Sequence, residues 1–207
     1  MTVAIVDVGL CNAGSVANMV RKVGGDAELV DDPDVLARAD RVILPGVGAF
    51  DAAVRRLEDR SLVTAIRALA ARGVPILGIC LGMQLLARRS EEGVLAGLDL
   101  VGGEVTRLPS IGPDGPVKVP HMGWSRLADR APHALLDGAA DDSRFYFVHS
   151  YAFRAEDDAD VVATAEHGRT PFVAAVARGN VAGVQFHPEK SHRHGMALMR
   201  AFLGWQP

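Results

Sequence analysis

The stretch VPILGICLGMQLL, residues Val74–Leu86, places one of the chain's two cysteines between two glycines. Cys80 follows a short apolar run and precedes an apolar helical pattern, with Gly78 and Gly82 on either side. In a chain with this glycine content, roughly 0.02 such Gly-x-Cys-x-Gly arrangements are expected by chance. The strand-to-helix context is that of a nucleophile elbow, with Cys where many hydrolases have Ser.

The position of Cys80 has a chemical consequence. At a helix N-terminus, free N–H groups and the helix dipole favour a thiolate over a thiol. The N–H of Leu81 is then directed to the place where an oxyanion would form. The flanking glycines are expected to permit both the sharp turn and close packing. The alternative is a buried cysteine that only fills space in the core.

A thiol nucleophile needs a base and a group that orients the base. Among seven histidines, His187 ends the apolar strand VAGVQF and is followed by Pro188 and Glu189. In an extended segment, residues 187 and 189 face the same side, so Glu189 can fix the tautomer of His187. The alternative is a surface His with a Glu in a turn.

The loop Pro45-Gly46-Val47-Gly48 follows a neighbouring strand and is the candidate for a second oxyanion donor. Its glycines can turn a backbone N–H into a cleft. No Gly-Lys-Ser/Thr follows, which excludes a P-loop. No cluster of His, Cys, Asp or Glu has the spacing of metal ligands, so no metal and no cofactor are expected.

Composition restricts the class of protein. The 207 residues are 49% hydrophobic and 23% charged, with a net charge of −3. This composition indicates a globular domain over residues 1–207, without the basic field typical of a nucleic-acid or membrane-surface partner. No apolar run is long enough to span a bilayer, and MTVAIVDVG predicts a strand rather than a signal peptide. Two cysteines make no disulfide framework, which favours a cytoplasmic location.

The first half of the chain alternates between strands and helices. Strands are predicted at 3–8, 27–30, 41–44 and 74–79, and helices at 15–23, 52–71 and 81–89. This alternation predicts an α/β fold with a mostly parallel central sheet flanked by helices. From about residue 98 to 186, strands follow one another without long helices, which predicts additional antiparallel strands. A loop at 109–120 and a closing helix at 195–203 complete the prediction.

Three of these motifs occur together in one family. The segments PGVG (45–48), GICLGMQ (78–84) and GVQFHPEKS (183–191) resemble the class I, triad-type glutamine amidotransferases, which have a flavodoxin-like fold. The segments RRSEE (88–92), PHMGW (120–124) and YFVHSY (146–151) narrow the resemblance to the glutaminase subunits of imidazole glycerol phosphate synthase, and VDVGLCNAGSV (6–16) also fits them. One departure is Cys11, where the family often has Gly before the Asn. It concerns the local backbone, and we do not expect Cys11 to act as a second catalytic thiol.

The resemblance implies a role for each matching position. Cys80 would attack the side-chain amide of glutamine, with His187 as base and Glu189 as its orienting group. Backbone N–H groups of Leu81 and of Val47 or Gly48 would form the oxyanion hole. The residues expected to bind glutamine are Gly46, Gln84, Ser150 and Tyr151. For Gln84 and Tyr151 the alternatives are an exposed helix residue and a half-buried strand aromatic.

The resemblance also implies a partner, a (β/α)₈ cyclase subunit that uses the ammonia to make imidazole glycerol phosphate and aminoimidazole carboxamide ribotide in histidine biosynthesis. The residues expected to face it are Asn12, Met122, Trp124 and Lys190; for Trp124 the alternative is core packing and for Lys190 a solvated side chain. Glutaminase activity is expected to be low in the isolated chain and to rise with the liganded cyclase. The alternatives are a cysteine peptidase, an amidotransferase subunit of another pathway and a catalytically silent protein that only docks.

Overall fold

Strands and helices alternate from the first residues of the computed structural model, which describes residues 1–207. The strands are β1 (Thr2–Val6), β2 (Asp26–Val30), β3 (Arg41–Gly46), β4 (Ile76–Cys80), β5 (Arg89–Ser90), β6 (Gly103–Arg107), β7 (Ile111–Gly112), β8 (Gly115–Pro116), β9 (His121–Arg126), β10 (Arg144–His149), β11 (Tyr151–Ala155), β12 (Val161–His167), β13 (Thr170–Arg178) and β14 (Val181–Val184). The helices are α1 (Ala13–Lys22), α2 (Pro33–Leu36), α3 (Phe50–Asp59), α4 (Leu62–Ala71), α5 (Leu81–Leu85) and α6 (His192–Gly204). None of these helices combines the length and apolar character needed to cross a membrane.

Ten strands form one sheet in the order β2-β1-β3-β4-β14-β13-β11-β6-β5, with β12 paired to β13. Neighbouring strands from β2 to β14 in this order pair in parallel. The pairs β14–β13, β13–β11 and β11–β6 are antiparallel, and β5 pairs with β6 in parallel. Every residue of β3 and β4 is buried, as expected for parallel strands covered on both faces. The predicted fold class, a mostly parallel sheet with additional antiparallel strands, is confirmed.

Each face of the sheet carries its own apolar core because successive side chains of a strand point to opposite faces. Val3 and Ile5 of β1 belong to one core, which α1 and α6 cover. Ala4 and Val6 belong to the other core, which α3 and α4 cover. The alternation of short strands and amphipathic helices thus buries both faces of the sheet.

The single helix predicted over 52–71 is wrong, because α3 and α4 are separate helices. Ser61, between them, has a left-handed backbone with φ of 58°. Leu57 and Leu62 are both buried, at 1% and 0% exposure. Five residues of continuous helix would place them about 140° apart around the axis, so the break lets both side chains reach the same core.

The helix predicted over 81–89 is also too long, because α5 ends at Leu85. The carbonyl oxygens that a longer helix would use are occupied by a returning segment. The N–H of Leu98 donates to Leu85 O at 2.8 Å, and the N–H of Leu100 donates to Leu86 O at 2.9 Å. Residues 89 and 90 then join the sheet as β5 instead of continuing the helix.

A two-stranded ribbon of β9 and β10 lies apart from the large sheet. The run RFYFVHSYAF (144–153) divides at Ser150, after which β11 pairs with β6. In the ribbon, Trp124 pairs with Tyr146 and Met122 with Val148. Phe145 and Phe147 point into the core, so Met122 and Trp124 lie on the outer face.

Candidate active site

Cys80 lies at the turn between β4 and α5 and carries the unusual backbone of that turn. Its φ is 55° and its ψ is −110°, a conformation that a non-glycine residue rarely adopts. The flanking glycines are expected from sequence to permit both the turn and close packing; Cys80 itself takes the turn backbone, and the glycines provide the close packing. A Cβ on Gly82 would lie 1.7 Å from Leu44 O, and one on Gly78 would lie 2.6 Å from Gly82 O. They let α5 pack directly on the strands beside the nucleophile.

His187 and Glu189, the predicted base and its orienting group, are in direct contact. His187 Nδ1 lies 2.7 Å from Glu189 Oε1, and the imidazole is 2% exposed. Residues 188–190 form a short 3₁₀ turn, whereas His187 itself keeps an extended backbone. Glu189 accepts from the Nδ1–H, so Nε2 is the atom left for proton transfer with the thiol. That nitrogen is buried and has no hydrogen-bond partner within the chain.

The environment of His187 favours the charged imidazolium. Burial, the largest single effect, lowers its pKa, but the Cys80 and Glu189 side chains together outweigh burial and raise the pKa to about 9. Nε2 itself has no hydrogen-bond partner within the chain, and the Cys80 side chain is the first of the groups that raise the His187 pKa. At neutral pH the His187 ring therefore carries a proton.

The register of β3 against β4 brings the glycine loop to the nucleophile. Gly46 is the partner of Cys80 in this pairing, and residues 47 and 48 follow directly. Gly48 has φ of 105°, which suits glycine. Val47 and Gly48 line a cavity of about 270 Å³ together with Cys80 and Leu81. The N–H of Leu81 opens α5, so it lacks a partner within that helix.

The same cavity receives most of the residues expected to bind glutamine. Gln84, Ser150 and Tyr151 line it, whereas Gly46 lines a neighbouring cavity. Gln84 is 5% exposed rather than an exposed helix residue. Its Nε2 donates to Tyr151 O at 2.9 Å and to Gln185 Oε1 at 3.0 Å. Both amide hydrogens are therefore used internally, and Oε1 is the atom that remains for a ligand.

Two polar residues near the nucleophile were not singled out from the sequence. Glu92 lines the cavity of Cys80, and its Oε2 accepts from the N–H of Phe50 at 2.9 Å. Gln185 is fully buried and donates from Nε2 to Cys80 Sγ at 3.7 Å. Both belong to motifs quoted above, RRSEE and GVQFHPEKS, but only their neighbours were assigned roles. Sequence contains no signal that distinguishes them, because their partners are remote along the chain.

A second cavity has a volume of about 220 Å³ and shares Val47 with the cavity of Cys80. Its lining includes His187 and Glu189 together with Asn12 and Lys190. Cys11 also lines it, and burial, followed by the charges of Asp7, Glu189 and Cys80, raises the Cys11 pKa to about 11. Cys11 is consequently a neutral thiol at physiological pH.

The remaining residues expected to face a partner lie on the ribbon. Met122 is 62% exposed and Trp124 is 44% exposed, so Trp124 is not packed in the core. The Trp124 ring stacks on His192 with a centroid separation of 5.5 Å. Lys190 Nζ lies 5.7 Å from the centroid of the Tyr146 ring, which places it beside the outer face of the ribbon.

The sequence and the fold place the chain among the class I glutamine amidotransferases. The family model for glutamine amidotransferase class-I matches residues 4–204. Among solved structures, a glutamine amidotransferase from Thermotoga maritima has the same fold, with a TM-score of 0.69 at 18% identity over 98% of this chain and 96% of that one.

Two curated relatives narrow the family. The imidazole glycerol phosphate synthase subunit HisH of Moorella thermoacetica is 48% identical over 201 residues, which cover 97% of this chain and 93% of that protein. The HisH subunit of Caulobacter vibrioides is 46% identical over 214 residues, covering 100% and 99%. The chain belongs to the HisH family, the glutaminase subunits of imidazole glycerol phosphate synthase in histidine biosynthesis.

Proposed function

We propose that Cys80, His187 and Glu189 hydrolyse L-glutamine to glutamate and ammonia through a thioester on Cys80. The observation that carries this proposal is the buried His187–Glu189 pair, joined at 2.7 Å, with Nε2 free of any partner and the Cys80 side chain close enough to raise the His187 pKa. A charged imidazole beside a thiol generates the nucleophile and later supplies a proton. The strand-to-helix turn presents the sulfur to the cavity.

The first half of the reaction forms the thioester. The Cys80 thiolate attacks the amide carbon of glutamine, and the carbonyl oxygen becomes an oxyanion. The N–H of Leu81 and one from Val47 or Gly48 donate to it. As the tetrahedral intermediate collapses, the C–N bond breaks and the His187 imidazolium gives its proton to the departing nitrogen. Ammonia leaves and His187 is neutral.

The second half restores the enzyme. Neutral His187 takes a proton from a water molecule, which attacks the thioester carbon. The C–S bond then breaks, glutamate is released and the Cys80 thiolate again faces an imidazolium. Glu189 stays ionised throughout and stabilises the charged ring in both halves.

The chemistry of the cavity fits the two ends of glutamine. Glu92 is the only carboxylate that lines the cavity of Cys80, so we assign it to the α-ammonium group of the substrate. The remaining acceptor of Gln84, together with Ser150 and Tyr151, completes the binding site. Glu92 also accepts from Phe50 N–H at the start of α3, which ties substrate binding to the glycine loop that precedes this helix.

The partner in this proposal is the (β/α)₈ cyclase subunit of the synthase. The docking face comprises Asn12, Met122, Trp124 and Lys190, with Asn12 and Lys190 at the second cavity. Since His187 lines that cavity too, ammonia would leave through it towards the cyclase, shielded from protonation in bulk water. We place the heterodimer in the cytoplasm, with residues 1–207 acting as one amidotransferase domain that needs no cofactor.

The deciding experiment measures glutamate release with and without the cyclase and its ribotide ligand. We expect low activity in the isolated chain and a strong rise in the liganded complex. Cys80→Ala should abolish glutamine-dependent synthesis and leave ammonia-dependent synthesis intact. Full activity in the isolated chain would refute the dependence on the partner, and glutamine use by the Cys80 variant would refute the nucleophile.

A further inference from the structure

We propose that Gln185 is a further catalytic residue, whose side-chain amide donates a hydrogen bond to the Cys80 sulfur and stabilises its thiolate form. The inference deepens the proposed glutaminase function and rests on it. Gln185 Nε2 lies 3.7 Å from Cys80 Sγ, and the residue has no exposed surface. In this site a neutral donor therefore accompanies the charged imidazole.

The placement of Gln185 follows from the strand. β14 ends at Val184, one residue before Gln185, and lies directly beside β4, the strand that ends at Cys80. The Gln185 N–H donates to Ala174 O at 2.9 Å, which holds its backbone against β13. The segment that follows β14 thus brings both Gln185 and His187 to Cys80.

The orientation of the Gln185 amide follows from the Tyr151 carbonyl, which fixes the orientation of Gln84. Tyr151 O is a backbone carbonyl and can only accept. Gln84 must therefore direct its NH₂ group at this oxygen, at 2.9 Å, and the same nitrogen donates to Gln185 Oε1 at 3.0 Å. With its oxygen accepting from Gln84, Gln185 turns its own NH₂ group to the sulfur.

The Tyr151 carbonyl, to which Gln84 donates, is also held by a hydrogen bond from His149. His149 Nδ1 lies 2.8 Å from Tyr151 O, and His149 Nε2 lies 3.1 Å from His121 Nδ1. Because the carbonyl accepts, Nδ1 of His149 carries the proton and its Nε2 accepts from His121. His121 Nε2 in turn accepts from the Ser125 hydroxyl at 3.1 Å. Every member has one consistent donor direction, which holds the Tyr151 carbonyl and hence both glutamines in place.

The two contacts of the sulfur suit the two protonation states of Cys80. The neutral Cys80 thiol can donate to Val148 O, which lies 3.9 Å from Sγ. A thiolate has no proton to donate and cannot make this hydrogen bond. The Gln185 amide has the opposite preference, because an N–H donor is stronger towards an anion. An amide also cannot protonate the sulfur, so it stabilises the thiolate before attack and again as the leaving group of the second half-reaction.

The test is the pH dependence of Cys80 alkylation by iodoacetamide in a Cys11→Ser background, where Cys80 is the only thiol. Gln185→Met keeps side-chain length and removes the donor, and Gln185→Glu keeps the shape and the acceptor for Gln84. We expect the alkylation midpoint to move up by about one pH unit in the Met variant and further in the Glu variant. In the complex, kcat for glutamine should fall about tenfold with little change in KM.

An unchanged midpoint in a folded variant would overturn the proposal and leave Gln185 a packing residue. If neither variant folds, the wild-type chain decides: the side-chain NH₂ resonances of Gln185 should titrate with the Cys80 midpoint, and their insensitivity to it would overturn the proposal. Alkylation needs no glutamine. A shifted midpoint together with no glutamine-dependent activity in the liganded complex would therefore refute the proposed function while supporting the hydrogen bond.

Discussion

His187 Nδ1 and Glu189 Oε1 lie 2.7 Å apart, and only Pro188 separates the two residues in the chain. The short turn at 188–190 brings the carboxylate to the ring, and Ser191 secures the turn because its hydroxyl donates to His187 O at 2.6 Å. His187 and Glu189 consequently form one local unit, whose geometry depends on residues 187–191.

Glu189→Gln should remove the negative charge beside His187 and keep the shape of the side chain. The amide oxygen can still accept from His187 Nδ1–H, but one of the contributions that raise the His187 pKa is lost. We expect kcat for glutamine to fall by roughly 10²- to 10⁴-fold and the alkaline limb of the kcat/KM profile to move to lower pH. Ammonia-dependent synthesis in the complex is the control and should be unchanged. A wild-type rate with glutamine would contradict the role of Glu189.

Gly82→Ala should disrupt the turn at Cys80 because the added methyl group overlaps a neighbouring strand, and not because the backbone at residue 82 requires glycine. The new Cβ would lie 1.7 Å from Leu44 O, a backbone atom that cannot move aside cheaply. We expect a loss of about 3 kcal/mol or more in the free energy of unfolding, measured by urea denaturation. Gly204→Ala is the matched control, because no atom lies within 4 Å of its Cβ position. Equal stabilities of the two variants would show that close packing at Gly82 is unimportant.

Three histidines should produce a maximum of stability near pH 6.5. Burial, reinforced by neighbouring histidines, lowers the pKa of His121 to about 4 and of His149 to about 3. Below pH 6.5 the unfolded chain binds protons that the folded chain does not, so each group lowers the free energy of unfolding by about 1.4 kcal/mol per pH unit. The hydrogen bonds of His121 and His149 require neutral rings, so protonation in acid breaks these hydrogen bonds.

His187 has the opposite effect on the alkaline side. Its pKa is raised to about 9, so the folded chain holds a proton that the unfolded chain releases above pH 6.5. The contribution of His187 to the free energy of unfolding is fully present below pH 6.5 and is lost as the pH rises to about 9. Urea midpoints from pH 4.5 to 9 would show both limbs. His149→Asn, which retains a donor for Tyr151 O, should flatten the acid limb; an acid limb of unchanged slope would assign it to other groups.

Trp124→Ala should weaken the complex with the cyclase. Trp124 presents an aromatic surface on the outer face of the ribbon, beside Met122, and large aromatic side chains dominate binding energy at interfaces. We expect Kd to rise about 30-fold or more in a calorimetric titration of the cyclase. Val35→Ala, an apolar residue that is 39% exposed on α2, is the control and should bind normally. An unaltered Kd for the Trp124 variant would place the docking face elsewhere.

The amino-acid sequence by itself determined the features whose parts are close along the chain. The cysteine between two glycines, the His-Pro-Glu segment, and the alternation of strands and helices each need a few consecutive residues. Local spacing and hydrophobic period dictate them wherever the segment lies in the fold. The mostly parallel sheet with its antiparallel extension and the pairing of His187 with Glu189 were therefore open to prediction.

Only the tertiary structure decided which distant residues meet. Gln185 reaches Cys80 across 105 residues, Gln84 reaches Tyr151 across 67, and Glu92 reaches Phe50 across 42. The break at Ser61 and the early end of α5 have the same origin, since both depend on which core or returning segment a helix meets. Such contacts follow from the order and register of the strands, and no short sequence pattern encodes them. The nucleophile is thus a local feature, whereas the hydrogen bonds that surround it exist only in the folded chain.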